Sequence, residues 1–206
     1  MCRQTEYRVF NKNTNTMKLY KYRADIYRDL LTLVNNQIYA PTAQNLNDPA
    51  ETIVNDSKMY EVFNLMEKSG LPINIAKDNY AKIIAQARTE LGIFSLSKTV
   101  VNELLWAYYT NGHKGFCIEY DSEQLQRSLS NGHLHSVLNV QYKNDTPEFS
   151  MNSITNNLVD DTQFIKCLIA TKSMAWEREE EIRITLYSSG LFEYILVFEC
   201  LIQTKN

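Results

Sequence analysis

Charged side chains crowd into one short segment near the end of the chain, WEREEEIRI at residues 176–184. If a strand covers residues 179–187, Glu179, Glu181 and Arg183 lie on one face of it, because side chains alternate along a strand. When two carboxyl groups lie beside a guanidinium, their mutual repulsion raises the pKa of one carboxyl group and the guanidinium lowers the pKa of the other. Such a group suits acid–base chemistry in a cleft, whereas a solvated charged surface is the simpler interpretation.

A second polar segment, NLNDPAE at residues 45–51, places Asn47, Asp48 and Glu51 around a proline. Asn and Asp bond their own backbone and Pro fixes φ, so a rigid turn leading into a helix is the simplest interpretation. The same rigidity could aim a carboxylate into a cleft. We therefore expect this turn to lie beside the cleft.

The segment at residues 92–121 joins a short apolar strand, which carries Ser95 and Ser97, to a helix rich in aromatic residues. Trp106 and Tyr109 share one side of that helix by helical spacing. Most aromatics at such spacing belong to a core. Next to a serine-bearing strand, they could instead form a stacking wall for a flat ligand.

Metal chemistry and common enzyme motifs find little support in the sequence. His133 and His135 form an H-x-H pair, but no carboxylate or cysteine at suitable spacing completes a metal shell, so no metal is expected. The four cysteines never approach C-x-x-C spacing. The chain also lacks G-x-S-x-G, P-loop and G-x-G-x-x-G sequences, which argues against the simplest hydrolase, NTPase and dinucleotide-fold interpretations.

The elements that must position these residues alternate between strands and helices. Strands are predicted at 17–23, 92–97, 115–121, 133–143, 181–187 and 192–202, the last two as a hairpin turned at 188–190. Helices are predicted at 25–36, 56–69, 76–91, 99–110, 122–129 and about 157–172. This interleaving lacks regular βαβ spacing, which favours an α+β fold with a mixed, largely antiparallel sheet and helices packed on it.

Two of these elements have predicted faces. The alternation in the first strand places Lys21 and Arg23 on one face with Leu19, and two tyrosines on the other. The following helix, capped by Asp25, carries an apolar stripe of Ile26, Leu30, Leu33 and Val34 that is expected to face the core.

Composition limits the class of protein. At 206 residues with 44% hydrophobic side chains, the chain is expected to form a single domain over residues 1–206. A formal charge of −3 provides no global field for nucleic acid or an anionic membrane. No apolar stretch reaches the roughly 18 to 20 residues of a membrane helix, and the first residues lack the apolar core of a signal peptide. A cytoplasmic protein with no membrane partner is expected.

Five segments in order resemble a widespread, largely uncharacterised bacterial family that is described as abortive-infection-like. They are LYKYR (19–23), NLNDPAE (45–51), GIFSLS (92–97), LLWAYYTNGHKGFCIEYD (104–121) and KSMAWEREEEIRI (172–184). The set is specific as a whole although each segment is weak alone.

The order of a basic first strand, a serine-bearing middle strand and a late glutamate is also similar to the ADP-ribosyltransferase fold, whose enzymes cleave NAD at its nicotinamide ribose. By this resemblance Lys21 or Arg23 of the first strand contacts the adenosine side of NAD. Ser95 and Ser97, with the aromatic residues Trp106 and Tyr109, hold the nicotinamide end. Glu179 or Glu181 binds the reacting ribose. The remaining cleft residues would be Asn47, Asp48, Glu51, Trp176 and Arg183.

The resemblance implies an NAD-consuming enzyme, an ADP-ribosyltransferase or NAD glycohydrolase, acting as a toxin or phage-defence effector with protein or nucleic acid as acceptor. Breaking the glycosidic bond builds positive charge on the ribose, which a fixed carboxylate stabilises more in the transition state than in the ground state. Glu181 is the first choice for this role, and Glu179 would orient or deprotonate the acceptor. Because like charges surround it, Glu181→Gln is expected to leave the fold intact.

Two other functions fit the same residues. A non-catalytic module could use the cleft to recognise a nucleotide, a nucleic acid or a partner protein. A metal-dependent nuclease would use Asp48, Glu51 and the late glutamates, but the E-x-E-x-R run lacks the lysine that many such sites carry.

Overall fold

The computed structural model describes residues 16–24, 26–48, 52–53, 55–70, 72–147, 166–194 and 199–201. The strands are β1 (Lys18–Arg23), β2 (Gln37–Ala40), β3 (Gly92–Ser97), β4 (Phe116–Asp121), β5 (Leu134–Asn139), β6 (Gln141–Lys143), β7 (Thr171–Ser173), β8 (Glu181–Leu186), β9 (Gly190–Glu193) and β10 (Glu199–Leu201). The α-helices are α1 (Tyr27–Val34), α2 (Ser57–Lys68), α3 (Asn74–Thr89), α4 (Glu103–Tyr109) and α5 (Ser122–Leu129), and 3-10 helices cover Ala43–Asn45 and Met174–Glu179. None of the described helices has the length and apolar composition to cross a membrane.

Six strands form the main sheet in the order β10-β4-β1-β3-β8-β5, and each neighbouring pair is antiparallel. Two smaller sheets accompany it, the antiparallel pair β2-β9 and the parallel pair β6-β7. The predicted α+β class, with a mixed and largely antiparallel arrangement, is confirmed. The three adjacent strands β1, β3 and β8 come from distant parts of the chain and carry six of the predicted site residues: Lys21, Arg23, Ser95, Ser97, Glu181 and Arg183.

The two predicted faces of β1 are confirmed. Leu19 is fully buried in the main core, where it lies opposite Tyr120 of β4. Tyr22 points to the other side of the sheet and packs in a separate cluster with Trp106 and Cys117. Alternation therefore turns the basic side chains of β1 to the same side as the main core.

β1 and β3 are paired through a single residue pair, Tyr20 opposite Ser97. On its other side β1 pairs with β4 along its whole length. From this pair towards Gly92 of β3 and Arg23 of β1 the two strands separate, and the backbone N–H of Ile93 donates instead to the carbonyl oxygen of Pro41 at 2.8 Å. The separation opens a wedge in the middle of the sheet, and this wedge positions the site.

Helix α1 turns a polar side inward, so its predicted core-facing stripe is wrong. Asp29 is buried, whereas Ile26, Leu30 and Val34 are exposed and Leu33 alone of the stripe packs against the main core. The cause is an ion pair between Asp29 and a basic residue of β1, which draws the polar face of the helix to the sheet. The predicted cap, Asp25, lies outside the described residues.

Two predictions for the last third of the chain are wrong. The hairpin predicted from residues 181–187 and 192–202 does not form, because β8 inserts between β3 and β5 while β9 pairs with β2. Of the helix predicted at about 157–172, residues 166–169 are helical and Thr171–Ser173 is a strand, while the first part lies outside the described residues. Both sides of β8 are thus paired with other strands, so β9 cannot pair with it.

Candidate functional site

The wedge between β1 and β3 opens into a pocket of about 580 Å³. This volume falls within the range of small-molecule and cofactor sites. The pocket is also walled by α1, α4, the segment at residues 39–47 and the chain around residues 172–181. Of the residues predicted from the sequence, those that line it are Lys21, Arg23, Asn47, Ser95, Ser97, Tyr109, Glu179 and Glu181.

Glu179 and Glu181 converge on one buried ammonium group, that of Lys172. Its Nζ donates to Oε2 of Glu179 at 2.6 Å and to Oε2 of Glu181 at 3.3 Å. The same ammonium lies 4.8 Å from the centre of the Trp176 ring. Lys172 comes from β7, outside the main sheet, and it was not among the predicted site residues. The only signal for it in the sequence is its position at the start of the segment 172–184.

The backbone at Glu180 explains why the two neighbouring glutamates share a site. Glu179 ends a 3-10 helix and Glu181 begins β8, while Glu180 between them is left-handed, with φ 46° and ψ 49°. β8 covers Glu181–Leu186, in agreement with the strand predicted at residues 181–187, and the chain turns before it, so the strand does not extend back to Glu179. A left-handed residue other than glycine stores strain, which proteins retain mainly at functional sites.

Glu181 is a buried anion held by cations. Its Oε1 accepts from Nε of Arg183 at 2.8 Å, and its Oε2 accepts from Nη2 at 3.2 Å. Burial alone would raise its pKa, but the charges of Arg183 and Lys172, with hydrogen bonds from Arg183 and Ser95, outweigh burial and lower the pKa of Glu181 to about 2. The expectation that like charges strain the fold at this position is wrong. The solvated-surface interpretation is also wrong for Glu179, Glu181 and Arg183, which are buried, whereas the other charged residues of the segment are exposed.

Glu179 has a different set of partners. Its Oε1 accepts from the hydroxyl of Tyr109 at 2.7 Å, and its backbone carbonyl accepts from Oγ of Ser97 at 2.8 Å. Burial, together with the hydrogen bond to Glu179, raises the pKa of Tyr109, whose hydroxyl also interacts with the side chain of Asn47. Ser97 thus fixes the turn that carries Glu179, and Tyr109 connects Glu179 to the predicted polar turn.

The side of the pocket formed by β1 is basic. Nζ of Lys21 donates to the backbone carbonyl of Ser95 at 2.7 Å and lies 5.0 Å from the centre of the Phe94 ring. Burial lowers the pKa of Lys21 to about 7, and Arg23 adds to this effect against the opposing influence of Glu181, Asp29 and Glu179. A lysine with this pKa titrates near neutral pH, so the charge of the pocket depends on pH.

Trp106 does not line the pocket, contrary to its predicted pairing with Tyr109 on a stacking wall. Its ring is buried edge-on against Tyr22, with centroids 5.3 Å apart, and its Nε1 donates to the carbonyl oxygen of Val100 at 2.8 Å. The turn of α4 points it at the sheet, and the pocket is instead lined from this helix by Leu105, Tyr108 and Tyr109.

The other predicted cleft residues that the structure describes do not line the pocket themselves. Asp48 is buried but does not line the pocket. Arg183 lies behind Glu181 and donates from Nη1 to the carbonyl oxygen of Ile169 at 2.6 Å. Trp176 reaches the site through its contacts with Lys172 and with the ring of Tyr108. Glu51 lies outside the described residues.

Lys172 supplies the lysine whose absence from the E-x-E-x-R run weakened the nuclease hypothesis. In the part of the chain that the structure describes, however, no three His, Cys, Asp or Glu side chains are grouped to hold a metal. His133 and His135 pack against the rings of Phe192 and Tyr187.

Residues 105–184 match the family described as Protein of unknown function (DUF2971). The match fits the resemblance to an uncharacterised family, and it includes the pocket residues Tyr109, Lys172, Glu179 and Glu181 but neither β1 nor β3. The chain matches no curated protein and no solved structure.

Proposed function

We propose that the pocket binds NAD and cleaves the bond between its nicotinamide and ribose, as an NAD glycohydrolase or an ADP-ribosyltransferase with an ADP-ribosyltransferase-like arrangement of strands. The observation that carries the proposal is the convergence, in one pocket, of a basic first strand, a serine-bearing strand and two late glutamates. The register supports it, because Glu181 of β8 lies opposite Ser97 of β3, and Ser97 lies opposite Tyr20 of β1.

The two glutamates differ in the acceptor capacity that remains for a ligand. A carboxylate offers about four lone-pair positions. Glu181 already receives two donors from Arg183, one from Lys172 and one from Ser95. Glu179 receives one donor from Tyr109 and one from Lys172. Glu179 therefore has positions left for a ribose hydroxyl.

This difference exchanges the roles expected from the sequence. In the proposal Glu179 contacts the reacting ribose, and its negative charge offsets the positive charge that develops as nicotinamide leaves. Glu181 stays ionised at neutral pH and holds Lys172 and Ser95 in place as a positioning residue. Tyr109 and Lys172 orient the Glu179 carboxylate, which satisfies the need for a fixed rather than a mobile charge.

The test is to incubate the protein with NAD and measure free nicotinamide, with and without protein and nucleic-acid acceptors. Glu179→Gln is expected to lower nicotinamide release on the order of 10² to 10³-fold, because the amide keeps the shape but not the charge. The control is Glu193→Gln, which changes an exposed glutamate on β9 and should leave release unchanged. Release that is equal in the wild type and the Glu179 variant would remove Glu179 from the mechanism.

If the wild type binds NAD but releases no nicotinamide with any acceptor, the pocket belongs to a binding module. Release in the absence of acceptors would favour a glycohydrolase, and release that requires an acceptor would favour a transferase. Analysing the acceptor by mass spectrometry for an added ADP-ribose group identifies the class of partner.

A further inference from the structure

The pocket is also lined by two guanidinium groups that share one carboxylate oxygen. Oδ1 of Asp29 lies 3.6 Å from Nη1 of Arg23 and 3.2 Å from Nη2 of Arg28. Asp29 is buried, Arg23 is largely buried and Arg28 is mostly exposed, and all three line the pocket. Two positive charges therefore face one negative charge, which leaves one positive charge in excess in this group of three side chains.

Arg23 has donor capacity left over. Its Nε is buried and, among the described residues, no hydrogen-bond acceptor meets it. Burying a guanidinium N–H without an acceptor is unfavourable, so such groups in proteins are normally satisfied by a partner or a ligand. An anion that enters the pocket would supply the acceptor.

The geometry favours a phosphate over a single carboxylate. Guanidinium groups bind phosphate oxygens through paired N–H donors, and here they approach from a strand and from a helix. Asp29 occupies only some of the donors of these guanidinium groups, and Nε of Arg23 still lacks an acceptor within the described part of the chain, so an anion with three or more oxygens can pair with both guanidinium groups at once. Tyr39 and Pro41 of the adjoining wall provide apolar surface for the organic part of the ligand.

We infer that Arg23 and Arg28 form a phosphate-binding site that takes a diphosphate ligand, with Asp29 as the internal anion that the ligand partly displaces. The identity of this ligand as the diphosphate of NAD rests on the proposed function, whereas the preference for phosphate does not. Free nucleoside diphosphates and inorganic pyrophosphate are expected to bind at the same place.

The experiment titrates the whole protein with inorganic pyrophosphate and with ADP in a calorimeter. Arg28→Ala is expected to weaken both affinities on the order of tenfold, because it removes a charged hydrogen-bond donor. Asp29→Asn is expected to strengthen both, because it removes the competing negative charge. The matched control is Arg127→Ala, which removes an arginine that is also mostly exposed and is paired to Glu123 on α5, and it should leave binding unchanged. Circular dichroism verifies that the Asp29 variant is folded.

The outcomes separate this inference from the proposed function. Pyrophosphate binding that is absent in the wild type, or unchanged in Arg28→Ala, overturns the phosphate site even if NAD is cleaved. Binding that weakens in Arg28→Ala without any nicotinamide release supports the phosphate site and overturns the proposed function instead. Equal weakening by Arg127→Ala shows a non-specific charge effect and also overturns the site.

Discussion

The ammonium of Lys21 donates a hydrogen bond of 2.7 Å to the carbonyl oxygen of Ser95, across the wedge where β1 and β3 have separated. Backbone pairing of these strands ends at Tyr20 and Ser97, so a side chain replaces the next hydrogen bond between them. Burial of this nitrogen disfavours its charged form, which lowers the pKa of Lys21 to about 7.

Lys21→Met is expected to stabilise the protein at pH 6, and the gain should shrink as the pH rises. The pKa of Lys21 is about 7 in the folded state against an ordinary value of 10.5, so between these values the unfolded chain binds more protons. Wild-type stability therefore rises with pH across this window, and the variant lacks this contribution. Urea denaturation at pH 6 and pH 9.5 measures the difference. Lys18→Met, at a more exposed position on the same strand, serves as the control. A constant difference between wild type and the Lys21 variant would contradict the lowered pKa.

Glu181→Gln is expected to lower the free energy of unfolding by about 3 to 5 kcal/mol, because it leaves Arg183 buried without its counter-charge. The wild type should also lose stability as the pH falls from 4.5 towards 2, since the folded-state pKa of Glu181 is about 2. Chemical denaturation over this pH range tests both statements. A Glu181 variant as stable as wild type at pH 7 would show that the ion pairs contribute no stability.

Glu180→Gly is expected to leave stability unchanged or to raise it by up to about 1 kcal/mol. Glycine removes the left-handed strain at φ 46°, which offsets its larger entropy in the unfolded chain. Glu123→Gly, in the first turn of α5, provides a comparison in which glycine should cost about 1 kcal/mol. The melting temperature of Glu123→Gly should fall, whereas that of Glu180→Gly should stay the same or rise. Equal losses would mean that Glu180 is not strained.

Gly115→Ala is expected to destabilise the protein by about 2 to 3 kcal/mol, more than Gly112→Ala. A Cβ at Gly115 would lie 2.0 Å from the backbone oxygen of Arg23 and 2.9 Å from Cβ of Thr110. A Cβ at Gly112 would meet nothing within 4 Å, so only its φ of 67° opposes alanine. Because the clash at Gly115 displaces Arg23, pyrophosphate affinity should fall in that variant alone. Equal effects of the two substitutions on stability and binding would contradict the close packing.

The sequence predicted elements well where local pattern decides their structure. Strict alternation placed Lys21 and Arg23 on the correct face of β1, and the short apolar run GIFSLS was correctly assigned to β3. The predicted helix at residues 122–129 also coincides with α5, which begins where the side chain of Asp121 accepts from the backbone N–H groups of Glu123 and Gln124. These features depend on neighbours within a few residues.

Features that depend on distant partners were not predictable. The apolar stripe of α1 faces outward because Asp29 pairs with Arg23, a contact between two elements that no periodicity reveals. Lys172 joined the site because β7 delivers it to the two glutamates from outside the main sheet. The turn at Glu180 has no signature, since glutamate rarely adopts a left-handed backbone.

The position of β8 in the sheet determines when the protein can fold during its synthesis. β8 ends at Leu186 and fills the place between β3 and β5, strands that the ribosome has completed long before. Until then β3 has a free edge beside its apolar Phe94 and Leu96, and such edges pair readily with other chains. A sheet built from such widely separated segments forms slowly. The nascent protein is thus most exposed to aggregation in the interval before β8 is made. The segment that ends this interval also contains the two glutamates of the pocket.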